Sequence, residues 1–175
     1  NVQPKDCSVN SVMKNTNGKA YVIKNKEYSD TQYSNGGWVG NLGNIAPNKM
    51  YKINSLTDFT HSIIGEQLNI AESPIILKKG WNWIGYAPTT SMSVKEAFAQ
   101  ANPKEGDIIK GQYEFSIYTD YEWIGTLEGM NPGEGYIYMS NIGEKDSVKF
   151  SYPSFTVKKR NGNNSFISNK YGLTN

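Results

Sequence analysis

Apolar positions along the chain follow two rhythms. One is helical: Val94, Ala97, Phe98 and Ala101 recur at i, i+3, i+4 and i+7, the spacing of one helix face. Ser93 and Glu96 precede and open that face as an S-x-x-E capping box, in which side chains satisfy the first free N–H groups of a helix. Asn102-Pro103 ends the pattern, because a residue before proline is pushed out of the helical region. The same arrangement starts at Ser8, with Val9, Val12 and Met13 as the face and Asn17-Gly18 as the stop. Each helix should run about two to three turns, too short to persist unless its face packs on something.

The other rhythm has period two. Ile108-Ile109, Tyr113–Tyr118, the stretch at Trp123 and the run after Pro132-Gly133 predict successive strands. Pro132-Gly133 suits the centre of a type II turn, and Pro47-Asn48 offers the same geometry with asparagine at the left-handed position. In "GWNWIGY" (Gly80–Tyr86), alternation puts Trp81, Trp83 and Gly85 on one face and Asn82, Ile84 and Tyr86 on the other. Large apolar groups on both faces predict a core strand, with Trp81 and Trp83 packed over the helix face. The competing reading is a tryptophan platform for sugar. Lys78-Lys79-Gly80 predicts a turn that lays "PIIL" (Pro74–Leu77) antiparallel to this strand.

These elements occur twice. "GWVGNLGNIAPNKMYKINS" (Gly37–Ser55) aligns with "EWIGTLEGMNPGEGYIYMS" (Glu122–Ser140) at a constant offset of 85. Trp38 falls on Trp123, Gly40 on Gly125, Leu42 on Leu127, Pro47 on Pro132 and Tyr51 on Tyr136. Upstream, Ser8 falls on Ser93 and Tyr33 on Tyr118, while "VIKNK" (Val22–Lys26) needs a one-residue shift to meet "IIKGQ" (Ile108–Gln112). The expected fold is mainly β with one short helix per repeat, as two pseudo-symmetric modules packed side by side. Module one spans 1–73 and module two 74–155, with a polar tail or linker at 156–175. Thr57–Pro74 is a candidate strand pair closing the first module, with Lys149–Phe155 as its counterpart. The first module lacks a "GWNWIG", so its helix face should be covered by a borrowed segment, a partner chain or upstream residues. The chain starts at Asn1 and reads as a processed piece of a longer protein.

Composition narrows the function classes. A hydrophobic content of 37% and an aromatic content of 13% favour packed strands over disorder. Net charge is +2, and Arg160 is the single arginine, which speaks against dedicated nucleic-acid readout. One cysteine, Cys7, excludes an intrachain disulfide and a cysteine zinc cluster; one histidine, His61, excludes a multi-histidine metal site. No run of 18 apolar residues predicts a membrane-spanning helix.

Candidate chemistry is sparse. His61 has no partner set for nucleophilic catalysis. Glu105/Asp107 and Asp120/Glu122 share strand faces, but no calcium-loop pattern accompanies them, so they read as turns and strand ends. No cofactor or metal site is expected, and no enzyme. Trp38, Trp81, Trp83 and Trp123 are assigned to the structural core. Positions where the copies differ make better ligand candidates, and Tyr113, Phe115 and Tyr121 stand where the first copy has smaller or polar groups.

The order "PIILKKGWNWIGYAP", "SVKEAFAQANPKEGDIIKGQ", "WIGTLEGMNPGEGYIYMS" resembles a recurring module of secreted and surface proteins of Bacteroidota-type bacteria. That module reads GWNWI, short helix, GDxIK, aromatic segment, W-[IV]-G-[ST]-L, PG-x-GY. The departures are the absent GWNWI of the first copy and Met50 in place of glycine. The resemblance implies an extracellular or cell-surface location and a non-catalytic accessory role beside flanking domains. The expected function is therefore binding, as an adhesion, carbohydrate-binding or protein-binding module without membrane insertion. The alternatives are a structural spacer presenting a neighbouring domain and, more weakly, part of a secreted hydrolase.

Overall fold

Two serines start the two helices. The computed structural model describes residues 2–16, 18–32 and 36–153, and these are mainly β. Helix α1 spans Val9–Val12 and α2 spans Val94–Ala97. The Ser11 N–H donates to Ser8 Oγ at 3.2 Å, and the Glu96 N–H donates to Ser93 Oγ at 3.2 Å. Glu96 accepts from the Ser93 N–H at 2.9 Å, which completes the capping box. Both helices are single turns, shorter than the periodicity predicts. Met13, Phe98 and Ala101 are nevertheless buried in the turns that follow, so the apolar face outlasts the regular helix.

In chain order the strands are β1 (Val2–Gln3), β2 (Ala20–Lys24), β3 (Ser29–Gln32), β4 (Trp38–Gly40), β5 (Lys52–Ser55), β6 (Glu66–Gln67) and β7 (Ile75–Lys78). They continue with β8 (Gly80–Gly85), β9 (Met92–Ser93), β10 (Ile108–Lys110), β11 (Phe115–Thr119), β12 (Glu122–Gly125), β13 (Gly129–Met130), β14 (Gly135–Ser140) and β15 (Ser147–Phe150). One antiparallel sheet has the order β4-β3-β2-β5, and another β12-β11-β10-β14-β8. Three two-stranded pairs, β1-β6, β13-β9 and β15-β7, complete the ladders.

The two larger sheets share register as well as order. Ile23 opposes Ile53 as Ile109 opposes Tyr138. Asp30 opposes Gly40 as Ser116 opposes Gly125. A Cβ on either glycine would overlap the strand beside it, so only glycine fits. Leu42 and Leu127 are tied to the same places by different chemistry. Asp30 accepts from the Leu42 N–H at 2.8 Å, and the Ser116 hydroxyl donates to the Leu127 carbonyl at 2.7 Å. The turns agree too: Asn48 has φ 58° and Gly133 φ 86°. Tyr51 Oη accepts from the Ala46 N–H at 2.8 Å, and Tyr136 Oη from the Asn131 N–H at 2.9 Å.

The helix faces cap two apolar clusters. Val9, Met13, Ala20, Ile23, Trp38 and Leu42 form the smaller one. The larger gathers Val94, Ala97, Phe98 and Ala101 with Ile84, Tyr86, Ile109, Leu127, Met130, Tyr136 and Tyr138. It also takes in Ile75, Leu77, Phe150 and Tyr152 from the β15-β7 pair.

Four sequence expectations are corrected. β7 pairs with β15 and not with β8, because Lys79 alone separates β7 from β8 and a hairpin needs a longer loop. Asn82 supplies the missing partner: its Oδ1 accepts from the Lys78 N–H at 2.9 Å and its Nδ2 donates to the Lys78 carbonyl at 2.7 Å. Trp81 and Trp83 do not pack over the helix, since Ile84 and Tyr86, on the opposite pleat face, take that place. Gln32, not Tyr33, is the counterpart of Tyr118, for Gln32 opposes Trp38 as Tyr118 opposes Trp123. The one-residue shift at "VIKNK" thus persists through β3 and is gone at β4, while Tyr33 lies outside the described residues. Within Thr57–Pro74 a single strand forms, β6, and it pairs with β1. Asn1, the stop residue Asn17, the end of Lys149–Phe155 and the whole 156–175 tail also lie outside the described residues.

Replacing Ser93 by alanine should cost about 1 kcal/mol through loss of the cap. Replacing Gly125 by alanine should cost about 1–3 kcal/mol through overpacking against β11. Urea denaturation midpoints at unchanged slope check both.

Candidate binding surfaces

Alternation along β8 and the ladder beside it decide what the protein shows to solvent. Opposed residues of an antiparallel ladder point to the same side. With Ile84, Tyr136, Tyr138 and Ile109 turned to the core, the neighbouring positions face outward. One outward row runs Trp81, Met139, Ile108, Ile117, Ile124 across all five strands. The next runs Trp83, Ile137, Lys110, Phe115. None of these side chains belongs to a buried cluster, and Trp81, Phe115 and Ile124 are exposed. The matching rows of the four-stranded sheet are Asn54, Val22, Thr31, Val39 and Lys52, Lys24, Ser29. One outer face is apolar; its counterpart is largely polar.

Lysines frame the tryptophans. Lys110 Nζ lies 5.1 Å from the Trp81 ring centre, and Lys52 Nζ lies 5.0 Å from that of Trp83. Lys26 Nζ donates to the Trp81 carbonyl at 2.7 Å. Beyond the free edge of β8 the Asn48–Met50 segment runs antiparallel, with the Gly85 N–H donating to the Asn48 carbonyl at 3.0 Å. A Cβ at Gly85 would strike the Lys49 backbone, so the junction depends on that glycine. A cleft of about 740 Å³ opens beside it, lined by Trp81, Trp83, Tyr28, Asn44, Lys49 and Asn82 among others.

The residues singled out from sequence lie as follows. Trp38 is buried at 3% exposure, and Trp123 is half-buried against Phe98, Tyr118 and Tyr138. Trp81 is 41% exposed and Trp83 half-buried. Tyr113 and Tyr121 are 89% and 87% exposed, on loops at opposite ends of β11. Phe115 lies between them on the apolar outer face, so the three aromatics do not form one cluster. Sequence reasoning missed Ile108, Ile117, Ile124, Ile137 and Met139. The repeat held the signal, since each stands outward where the first copy has Val22, Thr31, Val39, Lys52 or Asn54.

The acidic and titratable groups have local roles. Asp107 is buried and accepts from Tyr138 Oη at 2.6 Å, the Asn141 N–H at 2.7 Å and the Lys104 N–H at 3.0 Å. Glu105 accepts from Thr119 Oγ1 at 2.6 Å and the Asp120 N–H at 3.2 Å. Glu122 pairs with Lys95 at 2.8 Å on the surface. Burial raises the phenol of Tyr138 well above its usual range, and the Asp107 beside it adds to the shift. Among the described residues no group of three or more His, Cys, Asp and Glu is placed to hold a metal ion. Among them, too, no helix is long and apolar enough to cross a membrane. Compared with models of protein families, with curated proteins and with solved structures, the chain matches none.

Two measurements probe these placements. Trp38→Ala should cost about 3–5 kcal/mol of stability and Trp81→Ala roughly 1 kcal/mol or less, read from urea midpoints. His61 titrates below its ordinary 6.5 because burial penalises the charged ring. The unfolded chain then binds that proton more readily, so stability is full above pH 6.5 and falls as pH drops below it. His61→Gln should flatten that part of the pH profile.

Proposed function

We propose that the chain is a non-catalytic binding region of an exported bacterial surface protein. It is built of two pseudo-symmetric β-rich modules packed side by side, and the second carries the contact surface. The observation that supports this most is the contrast between the outer faces. Trp81, Met139, Ile108, Ile117 and Ile124 form an unbroken apolar row where the matching strands carry Asn54, Val22, Thr31 and Val39. Shared folding needs explain the positions that agree between the sheets; they do not explain a difference on the side away from the core. The row is partly exposed at its centre and exposed at Trp81 and Ile124, and a contiguous apolar patch beside polar strands marks an interaction surface.

The partner is a protein. The two rows are aliphatic and aromatic apart from Lys110, with Glu122 beyond Ile124 at the β12 edge, a composition that suits a desolvated protein interface with a polar rim. A sugar requires amide and carboxylate side chains around its ring stack, and the rows offer none. Carbohydrate is the second reading, supported by the cleft at Trp81, which Tyr28, Asn44 and Asn82 also line. Catalysis is not part of the proposal: Glu105, Asp107 and Glu122 are engaged in structural contacts.

Phe115→Glu and Ile124→Glu place charges on the exposed face without entering the core. The immobilised chain should bind members of a panel of extracellular-matrix and cell-surface proteins, and either variant should weaken that binding about tenfold or more. A silent protein panel, with a glycan panel that shifts the Trp81 and Trp83 indole signals, would transfer the site to carbohydrate. Silence in both would leave the spacer reading.

A further inference from the structure

β14 has a strand on each side; β5, its counterpart, has one. β14 lies between β10 and β8, whereas β5 is the edge of its sheet and pairs only with β2 among the described residues. The consequence is visible side chain by side chain. Tyr138 is 1% exposed, while Ile53, which takes its register position, is 39% exposed. The Leu56 N–H donates to the Lys19 carbonyl at 2.8 Å, which fixes the side of the strand that faces β2. By alternation the backbone N–H and C=O of Ile53 and Ser55 then point away, toward the position β8 holds on β14.

That position has a floor. A cavity of about 230 Å³ is lined by Val12, Met13, Ile23, Ile45, Tyr51 and Ile53, together with His61 and Ile63, and is bordered on its other side by Lys49-Met50 and by the 133–135 turn. Their counterparts are Ala97, Phe98, Ile109, Met130, Tyr136 and Tyr138, the residues that share one buried cluster with Ile84 and Tyr86 of the β8 segment. The cavity therefore lies where the inward side chains of a fifth strand would go. Alongside it a cleft of about 770 Å³ runs between Tyr51–Ile53 and Gly111–Glu114, with Tyr113 at its border. The present cover is irregular chain, of which Phe59 packs on the smaller cluster. Residues 56–65 form neither helix nor strand. Both ring nitrogens of His61 are buried without a partner among the described residues, and Ile64 is 92% exposed.

We infer that the open edge of β5 is an acceptor for an extended segment donated by another polypeptide, which adds antiparallel to β5 and seats alternate apolar side chains in the cavity. The recognised chemistry is that of Gly80–Tyr86: a small or polar residue opposite Ile53, as Asn82 is opposite Tyr138, and an aliphatic residue opposite Tyr51, as Ile84 is opposite Tyr136. Main-chain bonds supply affinity and the alternate pockets supply selectivity. The inference rests on the two-module reading, and not on the partner of the apolar outer face.

The probe is a fluorescently labelled peptide of residues 80–87, GWNWIGYA, titrated into the whole chain and followed by anisotropy. Binding should saturate, with half-saturation at about 100 µM or below. A peptide with Ile84→Asp and Tyr86→Asp should bind at least about tenfold more weakly, since it aims charge into the cavity. Ile53→Pro in the protein removes an outward N–H while sparing the β2 ladder, so the variant should stay folded by circular dichroism and lose the peptide. Phe115→Glu and Ile124→Glu should leave peptide binding unchanged, which separates this site from the outer face. No binding to the folded chain, or equal binding by the Ile53→Pro protein or by the aspartate peptide, would overturn the inference.

Discussion

The ladder that holds β8 against β14 decides most of what this protein presents. Its six pairs fix one register, from Gly85 opposite Gly135 to Gly80 opposite Ser140. A slip of one residue would exchange the faces of the strand, turning both tryptophans inward and Ile84 and Tyr86 out. The observed register instead seats Ile84 and Tyr86 among Val94, Ala97 and Phe98 and leaves Trp81 and Trp83 on the far side. Through Gly85 the same strand meets Asn48–Met50, so it also joins the two larger sheets. Core, outer surface and junction thus share one determinant.

What the sequence made legible followed from positions where a single residue type solves a local problem. Ser8 and Ser93 had to cap helices, and Asn48 and Gly133 had to take a left-handed turn. Each problem recurs at its repeat spacing, and each came out as expected. The facing of β8 was not legible, because "GWNWIGY" carries large apolar groups on both faces and hydrophobicity alone cannot rank them. Nor was the partner of β7, since the pattern of "PIIL" suits any neighbour and the contact with Asn82 is a side-chain substitution for a ladder. Tyr33 and Tyr118 aligned by identity, yet register pairs Tyr118 with Gln32; an inserted residue between β3 and β4 outweighs a matching letter.

Comparison of the two sheets separates two kinds of constraint. Asp30 and Ser116 differ in chemistry, but both satisfy a backbone group of the matched leucine, one as acceptor and one as donor. This is substitution under a common structural demand, since a buried polar group without a partner is costly. The outer positions obey no such demand. Ile117 against Thr31, Ile124 against Val39 and Met139 against Asn54 have no shared backbone group to satisfy. Their difference is free to follow something outside the fold, and that is why the candidate site was found by contrast and not by agreement.

The edge of β5 completes the argument from the opposite direction. An exposed strand edge invites pairing, and proteins protect such edges with charges, prolines, bulges or coverings. β5 has Lys52 near its start, but that lysine is drawn to the Trp83 ring, and Ile53, Asn54 and Ser55 follow without proline or charge. The covering segment buries an imidazole that no group among the described residues satisfies, and it exposes aliphatic side chains. On β14 the same edge is closed by a strand whose inward residues complete the core. An edge left open among the described residues over an incomplete core, beside a matched sheet in which both are closed, has the physical form of the proposed acceptor for a strand from another polypeptide.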